Sequence, residues 1–119
     1  MQYMLLLYND EAAWARLSDE ERNGIRQEYF GLAEELRENG AYVAGAPLHP
    51  TTSSTTVRVR DGEQLVTDGP FAETKEQLGG YFLLEAETDD EARSWAAKVP
   101  AARYGSVEVR PVLEVGAPA

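Results

Sequence analysis

The side chains best suited to chemistry in this 119-residue sequence mostly fall between His49 and Tyr81. Asp68 stands first. It opens Asp68-Gly69-Pro70-Phe71, where Gly tolerates φ > 0 and Pro70 fixes its own φ while pushing Gly69 out of the helical region. A carboxylate on such a turn at the end of a sheet, partly desolvated, would have a raised pKa and could act as general acid or base. The same residue can instead cap the turn by accepting amides of Phe71 or Ala72. Glu73, Lys75 and Glu76 follow it, either as pocket groups for an anion or proton transfer, or as a solvated charged loop. Arg58 and Arg110 each lie inside a β-branched strand pattern. On one sheet face they would bind a carboxylate or phosphate bidentately; alternatively they pair across strands with Glu108 or Glu85. His49 is the only histidine, either a loop residue or a proton carrier beside the same cavity. Tyr8 and Tyr81 are candidate pocket walls, whereas Tyr29 and Trp95 sit on helical stripes and belong to the core.

Other chemistries are excluded by residue type. Without Cys there is no disulfide or thiolate, and one His with no ligand spacing makes no metal site. Walker, Rossmann, nucleophile-elbow and zincin patterns are absent, and Gly79-Gly80 precedes a strand, so it cradles no phosphate. No cofactor is implied. The net charge of −10 argues against nucleic acid and anionic membrane, which require clustered Lys and Arg. No apolar run approaches the ~20 residues of a membrane span. Met1 leads straight into strand-like sequence without a signal-peptide pattern, so a cytoplasmic protein is expected.

The elements that must position these groups are well marked. Gln2–Tyr8 and Gly80–Glu87 are apolar at almost every position and read as strands covered on both faces. Asn9-Asp10 caps a short helical turn through Ala12, Ala13 and Trp14. Ser18 and Glu21 form a capping box, followed by the stripe Ile25, Tyr29, Leu32, Ala33, Leu36 and a left-handed stop at Asn39-Gly40. Ala41–Ala46 is a short strand closed by Pro47. Thr55–Arg60 and Glu63–Thr67 flank Asp61-Gly62, a type I′ hairpin signal. Thr88-Asp89-Asp90-Glu91 starts a second helix that buries Ala92, Trp95, Ala96 and Val99 and stops at Pro100. Ser106–Val115 alternates as a last strand, with Pro111 marking an edge or bulge, and Gly116–Ala119 is a loose tail.

The order predicts one α+β domain over residues 1–119, a ferredoxin-like βαββαβ unit with an inserted hairpin and a four-stranded antiparallel sheet. Two helices cover only one sheet face. Yet Met4, Leu6, Tyr8, Tyr81 and Leu83 point away from Tyr3, Leu5, Leu7, Phe82 and Leu84. At about 25 cal/mol per Å², leaving that second face wet would cost many kcal/mol, so a sheet-to-sheet homodimer is expected.

Asp68-Gly69-Pro70-Phe71, continued by Ala72-Glu73-Thr74-Lys75-Glu76 and Gly79-Gly80, resembles the signature of the DGPF branch of the YCII-related family. Thr56-Val57-Arg58 and Ala102-Arg103-Tyr104-Gly105-Ser106-Val107-Glu108-Val109-Arg110-Pro111 match that branch as well, so the resemblance spans nearly the whole chain. It implies a dimeric ferredoxin-like α+β barrel, a group that includes cofactor-free monooxygenases and muconolactone-isomerase-like proteins. Members of this branch are loosely labelled as transcription-initiation or sigma-factor-associated proteins. Some YCII relatives carry a His–Asp pair proposed as catalytic; the residues around His49 match no such motif. Two functions follow as expectations. One is a small-molecule binder or cofactor-free enzyme, with Asp68 and His49 catalytic and Arg58, Glu73, Lys75, Tyr8, Tyr81 and Arg110 around a small anionic ligand. The other is an acidic interaction module for a transcription partner, presenting Glu20, Glu34, Glu35 and Glu38.

Overall fold

A computed structural model describes residues 1–116; the expected loose tail lies largely outside them. Strand β1 (Gln2–Asn9) buries every second side chain, Tyr3, Leu5 and Leu7, beneath the helices. Asp10 caps α1 (Glu11–Ala15), its carboxylate accepting the Ala12 amide at 2.9 Å. Helix α2 (Asp19–Glu38) begins with the reciprocal Ser18–Glu21 box, which satisfies two orphan amides. It ends at Asn39, with Gly40 at φ +68. Its stripe seats Leu32 and Leu36 in the core, with Tyr29 and Ala33 packed alongside.

Strand β2 (Tyr42–Pro47) and β5 (Gln77–Glu85) form one side of a sheet ordered β2-β5-β1-β6. The other edge is β6 (Ser106–Pro111), reached through α3 (Asp89–Ala97) and the single turn α4 (Ala101–Tyr104). All pairings in it are antiparallel. This is the expected ferredoxin-like α+β arrangement, with the helices on one face. The expected run to Val115 stops at Pro111. Pro lacks an N–H, and on this edge only the Val112 amide continues the ladder, to Gln2 at 2.9 Å.

The inserted hairpin is a sheet of its own. Strands β3 (Thr55–Arg60) and β4 (Glu63–Asp68) pair through a turn with Asp61 at φ 52 and Gly62 at φ 77, the type I′ geometry. Almost every residue of the hairpin is exposed. The chain is accordingly a flat slab, 52 × 48 × 18 Å, with a radius of gyration of 16.6 Å. A compact chain of this length would have roughly 13.5 Å. Among the described residues, no helix is long and apolar enough to cross a membrane.

Candidate functional site

The residues singled out in the sequence fall on three separate surfaces. Tyr8 and Tyr81 share the helix-free sheet face with Met4, Leu6 and Leu83; Leu6 pairs with Tyr81 and Tyr8 with Leu78. Arg110 lies on the same face, across from Met4. Its guanidinium is taken up by Glu108, with Nε at 2.9 Å from Oε2, and that carboxylate raises its pKa.

Arg58 is elsewhere. It projects from the hairpin beside Leu65, its Nη2 3.5 Å from the Phe71 carbonyl, too long for a strong bond. Arg58 and Arg110 thus belong to different sheets and form no pair within one protomer. The strand pattern suggested a shared face because it does not reveal that the hairpin leaves the main sheet.

Asp68 ends β4 and is exposed. Neither the Phe71 nor the Ala72 amide bonds to its carboxylate among the described residues. The turn is held instead by backbone: Gly69, at φ +101, donates its amide to Ser54 at 2.8 Å, and its carbonyl accepts the Thr56 hydroxyl at 2.8 Å. Glu73, Lys75 and His49 are likewise exposed. Glu76 accepts the Ser106 hydroxyl at 2.9 Å, tying the loop to β6.

A cavity sits at the end of the sheet where that loop returns. It measures about 170 Å³ and is walled by Trp14, Leu17, Ile25 and Tyr104, with Asn9 and Asp10 at its polar end. Local chemistry builds each wall. Arg22 gathers carbonyls at and just beyond the end of α1: its Nη1 lies 3.1 Å from the Trp14 oxygen, which also accepts the Leu17 amide, and 2.6 Å from the Leu17 oxygen. Arg26 stacks over the Trp14 ring at 5.7 Å. Tyr104 leans on Tyr29, while Arg103 next to it pairs with Glu28 at 2.5 Å.

The corner is fastened to both loops. Gln77 accepts the Glu11 amide at 3.0 Å and donates to the Thr74 carbonyl at 2.5 Å. Glu11 in turn receives the Thr51 amide at 2.7 Å and its hydroxyl at 2.5 Å. The Asp68–Glu76 loop is therefore tied to the cavity's polar end through one glutamine.

Chemically the cavity offers two aromatic walls and a carboxylate with only Oδ1 engaged by its own helix. An apolar cavity of about 150 Å³ accepts benzene, so this volume suits a single ring. A larger depression of about 440 Å³, open to solvent between α3, α4 and β6, is lined mainly by small apolar residues. Its polar members are already engaged, Arg93 with Asp90 and Ser106 with Glu76. Among the described residues there is no cluster of three or more His, Asp or Glu side chains that could hold a metal. The sequence reading missed Trp14, Asp10 and Tyr104 as a group. Only the Asn9-Asp10 cap before an aromatic signalled it, and nothing local connects that cap to Tyr104.

Burial holds the Tyr29 phenol far above its ordinary value of 10, helped by Tyr104 beside it, and burial raises Tyr104 as well. The native state thus keeps a proton that the unfolded chain has lost. The associated stability is complete below pH 10 and is lost as pH climbs above 10 toward the native value. Urea midpoints at pH 8 and about pH 10.5 should show this drop, and Tyr29→Phe should shrink it. An undiminished drop in that variant would place the alkaline sensitivity elsewhere.

The fold and this corner define a two-layer ferredoxin-like α+β protein with a small lateral pocket. A model of the YCII-related domain matches residues 1–116. The chain belongs to the YCII-related family. An uncharacterised protein of Rhizobium meliloti (strain 1021) is 40% identical over 114 residues, covering 94% of this chain and 92% of that one. Among solved structures, 5-chloro-2-hydroxyhydroquinone dehydrochlorinase (TftG) of Burkholderia phenoliruptrix AC1100, in complex with 2,5-dihydroxybenzoquinone, is similar in fold. The TM-score is 0.54 at 16% identity, over 97% of this chain and 96% of that one.

Proposed function

We propose that this protein, a small-molecule binder or cofactor-free enzyme, takes a small, single-ring, hydroxyl-bearing molecule in the cavity beside the Asp68–Glu76 loop. The observation that carries the reading is the joining of the Trp14 and Tyr104 walls to an Asp10 carboxylate with one oxygen free of the helix cap. A ring hydroxyl donated to that oxygen would orient the ligand between the aromatic faces. The bound 2,5-dihydroxybenzoquinone of the dehydrochlorinase is a ligand of this kind. Asp68, His49, Glu73 and Lys75, exposed on the neighbouring loops, are our candidate acid–base and charge-bearing groups, with Lys75 the cation for an anionic ligand substituent. Arg110, Tyr8 and Tyr81 lie apart on the sheet face, where we assign them to a homodimer interface first and to a ligand second. The assembly is a sheet-to-sheet homodimer working in the cytoplasm, and membership of the DGPF branch is part of the same reading.

The acidic interaction module gains no comparable support. Glu35 pairs with Lys98 and Glu34 approaches Arg37, so two of its four outward acids already have partners on the chain.

Titration with 2,5-dihydroxybenzoquinone and simple polyphenols tests the cavity directly. In a Trp95→Phe background Trp14 is the sole fluorescent indole, and saturable quenching is expected. Ala13→Phe, which puts a ring into the cavity without adding an indole, should weaken binding by at least ~10-fold, about 1.4 kcal/mol. Quenching that never saturates, or that is indifferent to Ala13→Phe, would remove the cavity as the site.

A further inference from the structure

The β3–β4 hairpin is built unlike any other part of the chain. Cross-strand partners share a face, so Val57, Val59 and Val66 form one apolar side, with Thr55, Gln64 and Asp68 along it. Arg58, Arg60, Glu63 and Leu65 occupy the other. The three valines are 53%, 62% and 59% exposed, and Phe71 just beyond the hairpin is 78% exposed. A two-stranded hairpin with no cover is marginally stable in water, and an edge-exposed β-branched face invites association. Even so, its ladder is complete over all six residue pairs, and its turn has the favoured geometry. Such a hairpin is consistent with a face that is covered in the working molecule.

The helix-free sheet face poses the complementary problem. Four strands about 4.8 Å apart and about seven residues long present roughly 440 Å² of plane area. That falls short of the ~800 Å² each partner contributes to a standard stable interface. The hairpin's valine side adds roughly 190 Å² by the same geometry, and Phe71 extends it. Together the two surfaces offer roughly 630 Å² of plane area, nearer to the size a stable dimer needs than either alone.

From the hairpin's bare valine face, its separation from the main sheet and this shortfall in area, we infer that the hairpin is an arm that closes over a second copy of this chain. It places its valine side against that copy and carries Asp68, which lies on that side, into the shared interface. Arg58 and Arg60, on the opposite side, face outward from the covered arm. The inference rests on the homodimer proposed above and adds the arm to it.

Light scattering of the wild-type protein and of Val57→Asp/Val66→Asp separates the two ideas. A wild-type dimer whose dissociation constant rises about 100-fold in the double variant supports the arm. These side chains are exposed in the protomer, so its far-UV circular dichroism should be unchanged. Should the variant misfold, replacement of residues 56–67 by a short Gly-Ser linker asks the same question. Because the chain lacks Cys, Val57→Cys and Leu83→Cys proteins can also be mixed and oxidised, and a disulfide-linked heterodimer is expected. A wild-type dimer indifferent to the hairpin variants, with no such cross-link, overturns the arm and leaves the dimer standing. A monomer at all concentrations overturns both.

Discussion

Gly105→Ala is expected to destabilise the protein by at least about 3 kcal/mol and to lower its Tm by roughly 12 °C. Gly105 joins α4 to β6 at the point where β6 first meets β1, with Ser106 opposite Tyr8. A Cβ there would lie 2.1 Å from the Tyr8 carbonyl oxygen and 3.1 Å from the Asn9 Cα. Both are backbone atoms of the central strand and cannot swing aside, so β6 or β1 must move. The displacement would reach the cavity, because Tyr104 precedes Gly105 and Asn9 lines the polar end. Gly24 is the control: it lies inside α2 with nothing within 4 Å of an added Cβ. Gly24→Ala should stabilise by up to about 1 kcal/mol, because Ala restricts the unfolded chain and favours helix. Urea denaturation of the two variants should therefore move in opposite directions. Similar small changes in both would mean that the close approach at Gly105 is absent.

Leu5→Ala and Leu6→Asp should fail in different ways, although they are neighbours on one strand. Leu5 is fully buried between sheet and helices, in one cluster with Leu36, Leu84 and Val99. Removing its branched end leaves a cavity that rigid surroundings only partly close, at a cost of about 2–5 kcal/mol. Leu6 faces the other way, toward the side without helices, where Tyr81 is its partner. Leu6→Asp should leave the protomer folded while abolishing the proposed dimer, since it puts a carboxylate into an apolar sheet-to-sheet contact and directly opposite Glu108 on β6. Denaturation and light scattering, measured on both variants, give the two readouts. If Leu6→Asp remains fully dimeric, the helix-free face is not the interface.

In the proposed dimer, the sheet face and the hairpin would take apolar surface that the protomer exposes out of water. The protomer core is real but thin. Its largest fully buried side chains are Tyr3, Leu5, Leu36, Leu84, Val99 and Pro100. Tyr3 is held by more than packing, its hydroxyl donating to Asp89 at 2.6 Å, a bond that raises the phenol's pKa. That contact pins the first strand to the start of α3.

Local rules made most of the architecture legible in advance. Ser18 with Glu21, Thr88 with Glu91 and Asp10 with Ala12 cap their helices as residue type and spacing require, because capping involves only three or four neighbours. Asp61-Gly62 set the hairpin turn for the same reason. The two-sided apolarity of Gln2–Tyr8 and of Tyr81–Leu84 already declared that both sheet faces need cover, while which set meets the helices was decided by packing. What the sequence could not declare is where distant pieces meet. Trp14 and Tyr104 are far apart in the chain, and the cavity between them exists only because α4 returns against α1 and α2. The Arg58 and Arg110 patterns looked alike because strand periodicity reports a face, not a sheet. Asp68 was marked by its backbone, and the turn is indeed shaped by Gly69, yet among the described residues its exposed carboxylate takes no hydrogen bond. Backbone constraint is written in neighbouring residues, whereas a site is assembled by packing across the whole chain, and only the tertiary structure decides that.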